Sequence, residues 1–441
     1  MKQKKKNPIK NQIEKFESVS RRKFIITSSL SLAAFSIIPR HVMGKGYTAP
    51  SDKINIGVIG LGKQGNILSD RFISNTAAQI VAGSDVWDSK RANFKDNIEG
   101  MYAKLRNVEG YKGVSTYLDY QELLSRSDID AVIIATPDHW HAIQSIDAMN
   151  EGKDVFCEKP LTNTIAEGRA IADTVSKTKS VFQTGSMQRS WQRFILAQEI
   201  VSQGKLGDIK KVLVNVGDPA RPYDLAGEAL PKGIDWNRWC GPAPILAYSD
   251  VIAPKIVETY PGWRDFKEVG SGRIGDWGAH MFDIAQWCLG MDHTGPVTYI
   301  PPNDRKAVRG LKMYYENGIE MVHEDFERGW GVRFIGSKGS LDVSRDYLET
   351  TPENILKSHT NSDTQTIMNN NGNHYQNWLD GIKSREQPIC DAEIGHRTAT
   401  IANIANIAYE LGSTLGWDPK NEKFINNKQA NNMRKMNPRK Y

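Results

Sequence analysis

Apolar residues along this chain come first in short continuous runs and later in broken, half-apolar ones. Ile54, Ile56, Val58 and Ile59 make the first run, QIVAGS the second, IDAVIIAT over 129–136 the third, and DVFC follows at 154–157. Runs this short, β-branched and apolar at successive positions predict strands buried on both faces, as in a parallel sheet. Helical patterns separate them: Asn66 to Ile73, a polar helix after Asp85, and an amphipathic helix running through Met149. Strand and helix in alternation predict an α/β, doubly wound first domain over 46–180. Phe182 to Arg189 reads as its last strand. Beyond it, runs at 210–216, 298–300, 310–315, 320–326 and 332–335 are separated by turns such as Glu316-Asn317-Gly318. They predict an α+β second domain over 181–420, with a large, mostly antiparallel open sheet that has one wet face. The apolar helix from Ile394 to Leu411 is expected to return to the first domain. Asn361 to Asn373 reads as a polar loop, and the Lys- and Asn-rich segment 421–441 as a solvated tail.

The first strand breaks into Gly60, Gly62 and Gly65, a G-x-G-x-x-G spacing. Gly60 permits the tight turn, Gly62 lets the backbone approach a pyrophosphate, and Gly65 lets the helix pack close to the strand. Phosphates would sit on the positive end of that helix, where free N–H groups point at them. Asp85 ends the second strand about twenty residues past the third glycine, where a carboxylate holds a ribose 2′-hydroxyl. Strand, glycines, helix, strand and acid in this order predict a dinucleotide-binding domain, with NAD preferred over NADP. Thr136-Pro137 and Glu158-Lys159-Pro160 end the next two strands. Ligands of open α/β sheets sit at strand carboxyl ends, so both segments should face the glycine loop.

Charge changes the picture at one end only. The net charge is +6, but residues 1–23 carry nine Lys or Arg against Glu14 and Glu17, so the remainder is about −1. No basic face is left for nucleic acid. The head precedes an apolar, serine-containing run from Ile25 to Pro39, too short for a spanning helix. Its junction, Ser20-Arg21-Arg22-Lys23-Phe24-Ile25, resembles the twin-arginine export signal of bacteria. Residues 1–45 are therefore expected to be an export signal and linker. The protein should meet the export machinery, touch membrane only during export, and work in the periplasm or envelope. Cys157, Cys240, Cys288 and Cys390 show no C-x-x-C pair and read as buried small apolar residues.

Candidate chemistry clusters around four segments. Lys159, at a strand end near the nicotinamide, would be a cation next to a reacting hydroxyl, able to stabilise an alkoxide or share a proton. Asp276 and His280 are four apart in a helix start and share one face, where a carboxylate beside an imidazole makes a better base. His139 and His141 form an H-x-H pair that cannot converge on one ion, so no metal site is assigned; His141 is read as polar lining of the crevice. Nine of the eleven tryptophans lie from Trp191 onward, and Trp236 and Trp263 sit in Pro- and Gly-rich loops. Indole faces cover the C–H patches of sugar rings, so these two are the substrate candidates. Glu393 and His396 are at least as well explained by helix packing.

Together, the glycine fingerprint, Thr136-Pro137, Glu158-Lys159-Pro160, Gly275-Asp276-Trp277-Gly278-Ala279-His280 and Glu393-Ile394-Gly395-His396-Arg397 resemble the Gfo/Idh/MocA family of sugar and cyclitol oxidoreductases. The resemblance spans roughly 53 to 435 and is strongest to a secreted, tryptophan-rich bacterial subgroup, several of whose members act on glycosides. It implies a sugar, cyclitol or glycoside substrate, Lys159 and His280 at the reacting hydroxyl with Asp276 beside them, and a homo-oligomer. Two other readings stand beside it: an NAD-dependent glycoside hydrolase working by oxidation and elimination, and a non-catalytic carbohydrate or nucleotide sensor.

Overall fold

The computed structural model describes residues 53–359 and 372–440. The expected export signal, its twin arginines and most of the 361–373 loop lie outside the described residues. Six parallel strands form the first sheet: β1 Ile54–Ile59, β2 Ala78–Ser84, β3 Ser115–Tyr117, β4 Ala131–Ile134, β5 Asp154–Cys157 and β6 Phe182–Thr184, in the order β3-β2-β1-β4-β5-β6. This is the Rossmann order, with the switch point between β1 and β4. Register explains the continuous apolar runs. Ile56 sits between Ile80 and Ala131. Alternate residues then serve opposite cores: Ile56, Val58, Ile133 and Phe156 enter one cluster, while Ile59, Val132, Ile134 and Val155 enter the other. The last strand ends at Thr184, a few residues past the expected boundary at 180.

The second sheet is mixed and mostly antiparallel. Its strands are β7 Ile209–Asn215, β8 Thr298–Ile300, β9 Leu311–Tyr314, β10 Glu320–His323, β11 Gly331–Gly336, β12 Ser340–Val343, β13 Leu348–Thr351, β14 Leu415–Asp418 and β15 Lys423–Ile425. They run β13-β12-β11-β7-β10-β9-β8-β14-β15, with only β7 and β10 paired in parallel. One face packs Val212, Val214, Met321 and Phe334 against the helices Gly272–Cys288 and Ala392–Leu411. The other carries cross-strand ion pairs, Lys211 with Glu320 at 3.0 Å and Arg333 with Asp342 at 2.7 Å.

Two expectations are corrected here. The segment after 421 is not a solvated tail: Phe424 pairs with Trp417, their rings 4.9 Å apart, and Ala430 is fully buried. Its asparagines work locally, Asn427 capping the helix Lys428–Asn432 and Asn431 bonding both backbone groups of Phe424. A second returning helix was also missed. His374–Ser384 seals the first sheet by placing Trp378 and Leu379 among Val58, Phe72 and Phe156. The helix Ala392–Leu411 does reach the first domain, contributing Ala392 and Ala399 to its other core.

Buried histidines set a pH limit on this packing. His374 faces Ser190 Oγ at 2.9 Å and the Thr184 carbonyl at 2.9 Å; His323 faces Tyr409 Oη at 2.9 Å and the Val216 carbonyl at 3.2 Å. Burial pushes both imidazoles down to about 4. The unfolded chain takes up these protons near pH 6.5 and the folded chain only near 4, so stability is full above 6.5 and falls as pH drops between them. The expected loss is up to ~1.4 kcal/mol per histidine per pH unit in that window. Urea unfolding at stepped pH checks this: a His323→Gln, His374→Gln variant should show a shallower slope, and an unchanged slope would contradict it.

Candidate active site

At the switch point each glycine does a different job. Gly60 has φ +90°, and a Cβ there would lie 2.7 Å from the Ala135 carbonyl carbon. A Cβ on Gly65 would lie 2.0 Å from Gly60 O, so helix and strand touch through this glycine. Gly62 is open: a Cβ would meet nothing within 4 Å. It caps the helix Lys63–Ile73 with no side-chain acceptor and no acidic residue in the first turn. An uncapped N-terminus facing an open cleft fits a pyrophosphate.

An open cleft lies here, floored by Gly60, Gly62, Asp85, Thr136 and Pro137. Its opposite wall comes from 230–264: Trp239, Ile252, Tyr260, Trp263 and Arg264. That wall is stitched to the Rossmann edge. Trp87 bridges Ile234, Asp88 N–H donates to Gly233 O at 2.9 Å, and Arg238 pairs with Asp119 at 2.7 Å. Above the glycine loop, Lys63 Nζ lies 4.1 Å from the Tyr260 ring centre.

Asp85 lines the cleft, and its carboxylate also braces the loop, accepting from Leu61 N–H at 2.8 Å and Trp87 N–H at 2.9 Å. Arg91 donates to the Asp85 carbonyl, and Lys90 lines the cleft. A 2′-phosphate would still meet the Asp85 carboxylate. NAD is therefore expected to bind at least roughly tenfold tighter than NADP. Titrating both nucleotides tests this; tighter NADP would contradict it, and Asp85→Ser should narrow the gap.

The inner end of the site is a buried charge cluster. Lys159 Nζ donates to Asp276 Oδ1 at 2.5 Å, and Arg264 Nε approaches the same oxygen at 3.4 Å. Despite burial, these cations hold the Asp276 carboxyl well below the usual carboxylate range. Glu158 accepts from Gln64 Nε2 at 2.9 Å and from Lys159 N–H at 3.2 Å, and burial pushes its carboxyl up. Gln64, inside the glycine motif, thereby joins that loop to the strand end that carries Lys159. His280 is buried with Nδ1 lacking a partner among the described residues. Burial, then the charges of Lys159 and Arg345, push its imidazole well below its ordinary value, so it is neutral. Asp276 spends its carboxylate on Lys159 and acts on His280 only through space.

Two substrate candidates are corrected. His141 is buried under the loop, its Nδ1 2.8 Å from Pro160 O and its Nε2 2.9 Å from Thr136 O, so neither nitrogen reaches the cleft. Trp236 stacks on Trp239 at 4.6 Å and donates Nε1 to Leu246 O at 2.8 Å. The cleft-facing indole of that motif is Trp239, three residues on. Trp263 does line the cleft, one face covered by the Arg264 guanidinium at 4.3 Å. Thr136 donates its hydroxyl to Gln144 Oε1 at 2.7 Å, fixing the turn. His396 pairs with Glu422 at 2.8 Å and Glu393 with Arg169 at 2.8 Å, a packing network. The four cysteines are buried and free. Among the described residues no group of three or more His, Cys, Asp or Glu is placed to hold a metal ion.

Fold and cleft together define an NAD-binding oxidoreductase. The chain belongs to the Gfo/Idh/MocA oxidoreductase family: residues 54–186 match its NAD-binding Rossmann fold and residues 220–441 its C-terminal alpha/beta domain. It is 29% identical over 191 residues to a glycosyl hydrolase family 109 protein of Shewanella baltica, and 31% identical over 192 residues to an alpha-N-acetylgalactosaminidase of Shewanella oneidensis. Each match covers 42% of this chain and 41% of the relative, so the chain spans about two-fifths of the length of these curated relatives. The fold is that of aldose-aldose oxidoreductase from Caulobacter crescentus (TM-score 0.55, 18% identity, 82% of this chain and 99% of that one). It is also that of the WlbA dehydrogenase from Chromobacterium violaceum, solved with NADH and UDP-GlcNAcA (TM-score 0.57, 15% identity, 84% and 98%).

Proposed function

We propose that this protein is an exported, NAD-dependent oxidoreductase acting on a hydroxyl of a sugar, cyclitol or glycoside, with the hydride returned within the same site. One arrangement carries the reading: Lys159 paired with Asp276, beside a neutral His280 whose buried Nδ1 has no hydrogen-bond partner among the described residues. Bound NAD supplies hydride acceptance and donation. His280 takes the hydroxyl proton as the C–H hydride leaves and the carbonyl forms. The Lys159 ammonium faces the oxygen and offsets its developing charge, while Asp276 keeps that ammonium in place. Trp239 and Trp263 offer apolar faces to a ring.

The hydrolase reading has its own support in the relatives named as glycosyl hydrolases. A carbonyl on the ring acidifies the neighbouring C–H, loss of that proton expels the aglycone, water adds, and the returned hydride restores the hydroxyl. Export through the twin-arginine route, suggested by Arg21-Arg22, would carry a folded protein into a compartment poor in free NAD, so a retained cofactor suits both readings. Purified protein given aryl glycosides without added NAD separates them. Released aglycone marks the hydrolase; an oxidised glycoside with its aglycone intact, matched mole for mole by a second sugar reduced on the same bound NAD, marks the oxidoreductase. Neither product, with bound NAD present, would leave the sensor.

A further inference from the structure

Several cations crowd the catalytic end. Lys159 and Arg264 share Asp276, and Arg273 pairs with Asp265 at 2.6 Å. Arg345, in the turn after β12, has no ion-pair partner among the described residues, and its buried Nε has no hydrogen-bond acceptor. It is nonetheless held firmly. Its guanidinium lies 4.5 Å from the Trp277 ring centre and 5.4 Å from that of Trp191, and Arg193 bonds its carbonyl.

The ring contacts hold the cation without consuming its N–H donors, and a guanidinium with free donors can take a carboxylate bidentately. The cation is also close enough to act through space on His280, Asp276, Glu158 and Tyr260, as well as on the adjacent Asp346. Beside it, Trp277 sits 5.7 Å from the His280 ring and 4.1 Å from the Trp330 ring, and Trp330 is 39% exposed. An exposed indole, a second indole and an unmatched cation thus lead from solvent to the candidate base.

We propose that Arg345, with Trp277 and Trp330, forms a subsite for an oxyanion on the substrate ring, making glycosides of uronic acids the preferred substrate class. This rests on the oxidoreductase reading and deepens it. A sugar carboxylate and a sugar sulfate ester share the chemistry, and the test includes both. Binding is measured first, by tryptophan fluorescence on the NAD-loaded protein, with glucuronate, glucose and glucose 6-sulfate. Glucuronate should bind at least roughly tenfold tighter than glucose, the scale of one charge-assisted pair. Arg345→Gln should bring that ratio near one, and Arg345→Lys should recover part of it. A larger gain for the sulfate ester than for glucuronate would assign the subsite to sulfated sugars and overturn the carboxylate. Equal binding of acid and neutral sugar by the unaltered protein, or a ratio unmoved in Arg345→Gln with nucleotide content intact, would overturn the subsite itself. Matched glucosides and glucuronides then follow by reduction of bound nicotinamide. If neither reduces it, the oxidoreductase reading fails while the binding ratio still decides the subsite.

Discussion

Replacing Lys159 with methionine is expected to lower nicotinamide reduction at least ~100-fold, the scale of losing a group that acts on the transferred proton or its charge. Bound nucleotide should remain, because the glycine turn and Asp85 that floor the cleft do not depend on this side chain. Asp276 would keep Arg264 at 3.4 Å, so the buried carboxylate is not orphaned and the helix Gly272–Cys288 should stay folded. A second readout isolates the chemistry. Lys159 is among the charges that push His280 down, so its removal should raise the pH at which His280 protonates and move the acid limb of the rate profile upward. Normal turnover with an unshifted limb would remove Lys159 from the mechanism.

Two glycine variants should separate packing from binding. Gly65→Ala places a Cβ 2.0 Å from Gly60 O, backbone that cannot swing aside, so the helix must retreat from the strand. Nucleotide content should fall below about a tenth and stability should drop by about 1–3 kcal/mol, the range for overpacking. Gly62→Ala meets no protein atom within 4 Å and keeps an ordinary φ of −74°, so its Cβ should cost nucleotide affinity and leave the urea midpoint unmoved. Equal stability losses in the two variants would contradict these roles.

The Rossmann half was legible because its signals are local. The apolar runs predict buried strands, and the glycine spacing states which positions lack room for a Cβ. Side-chain partners were not legible in the same way. The i, i+4 spacing of Asp276 and His280 placed both on one face, but Lys159 arrives from 117 residues away and takes the carboxylate. Trp236 and Trp239 lie three residues apart, and only the docking of 230–264 on the Rossmann edge decides that Trp239 faces the cleft while Trp236 packs behind it. Arg264, Arg345 and Trp330 carried no motif at all; they matter because the second sheet brings its loops to the carboxyl ends of the first. The tail was misread on composition, since two of its few apolar residues, Phe424 and Ala430, are enough to anchor it.

The central claim is that a sugar hydroxyl is oxidised by a cofactor the protein keeps. The purified protein, denatured and assayed for released nucleotide, should yield close to one NAD per chain. The same untreated preparation should reduce that nicotinamide on addition of a glycoside and turn over in cofactor-free buffer. Protein that arrives empty and works only when NAD is supplied would contradict the account.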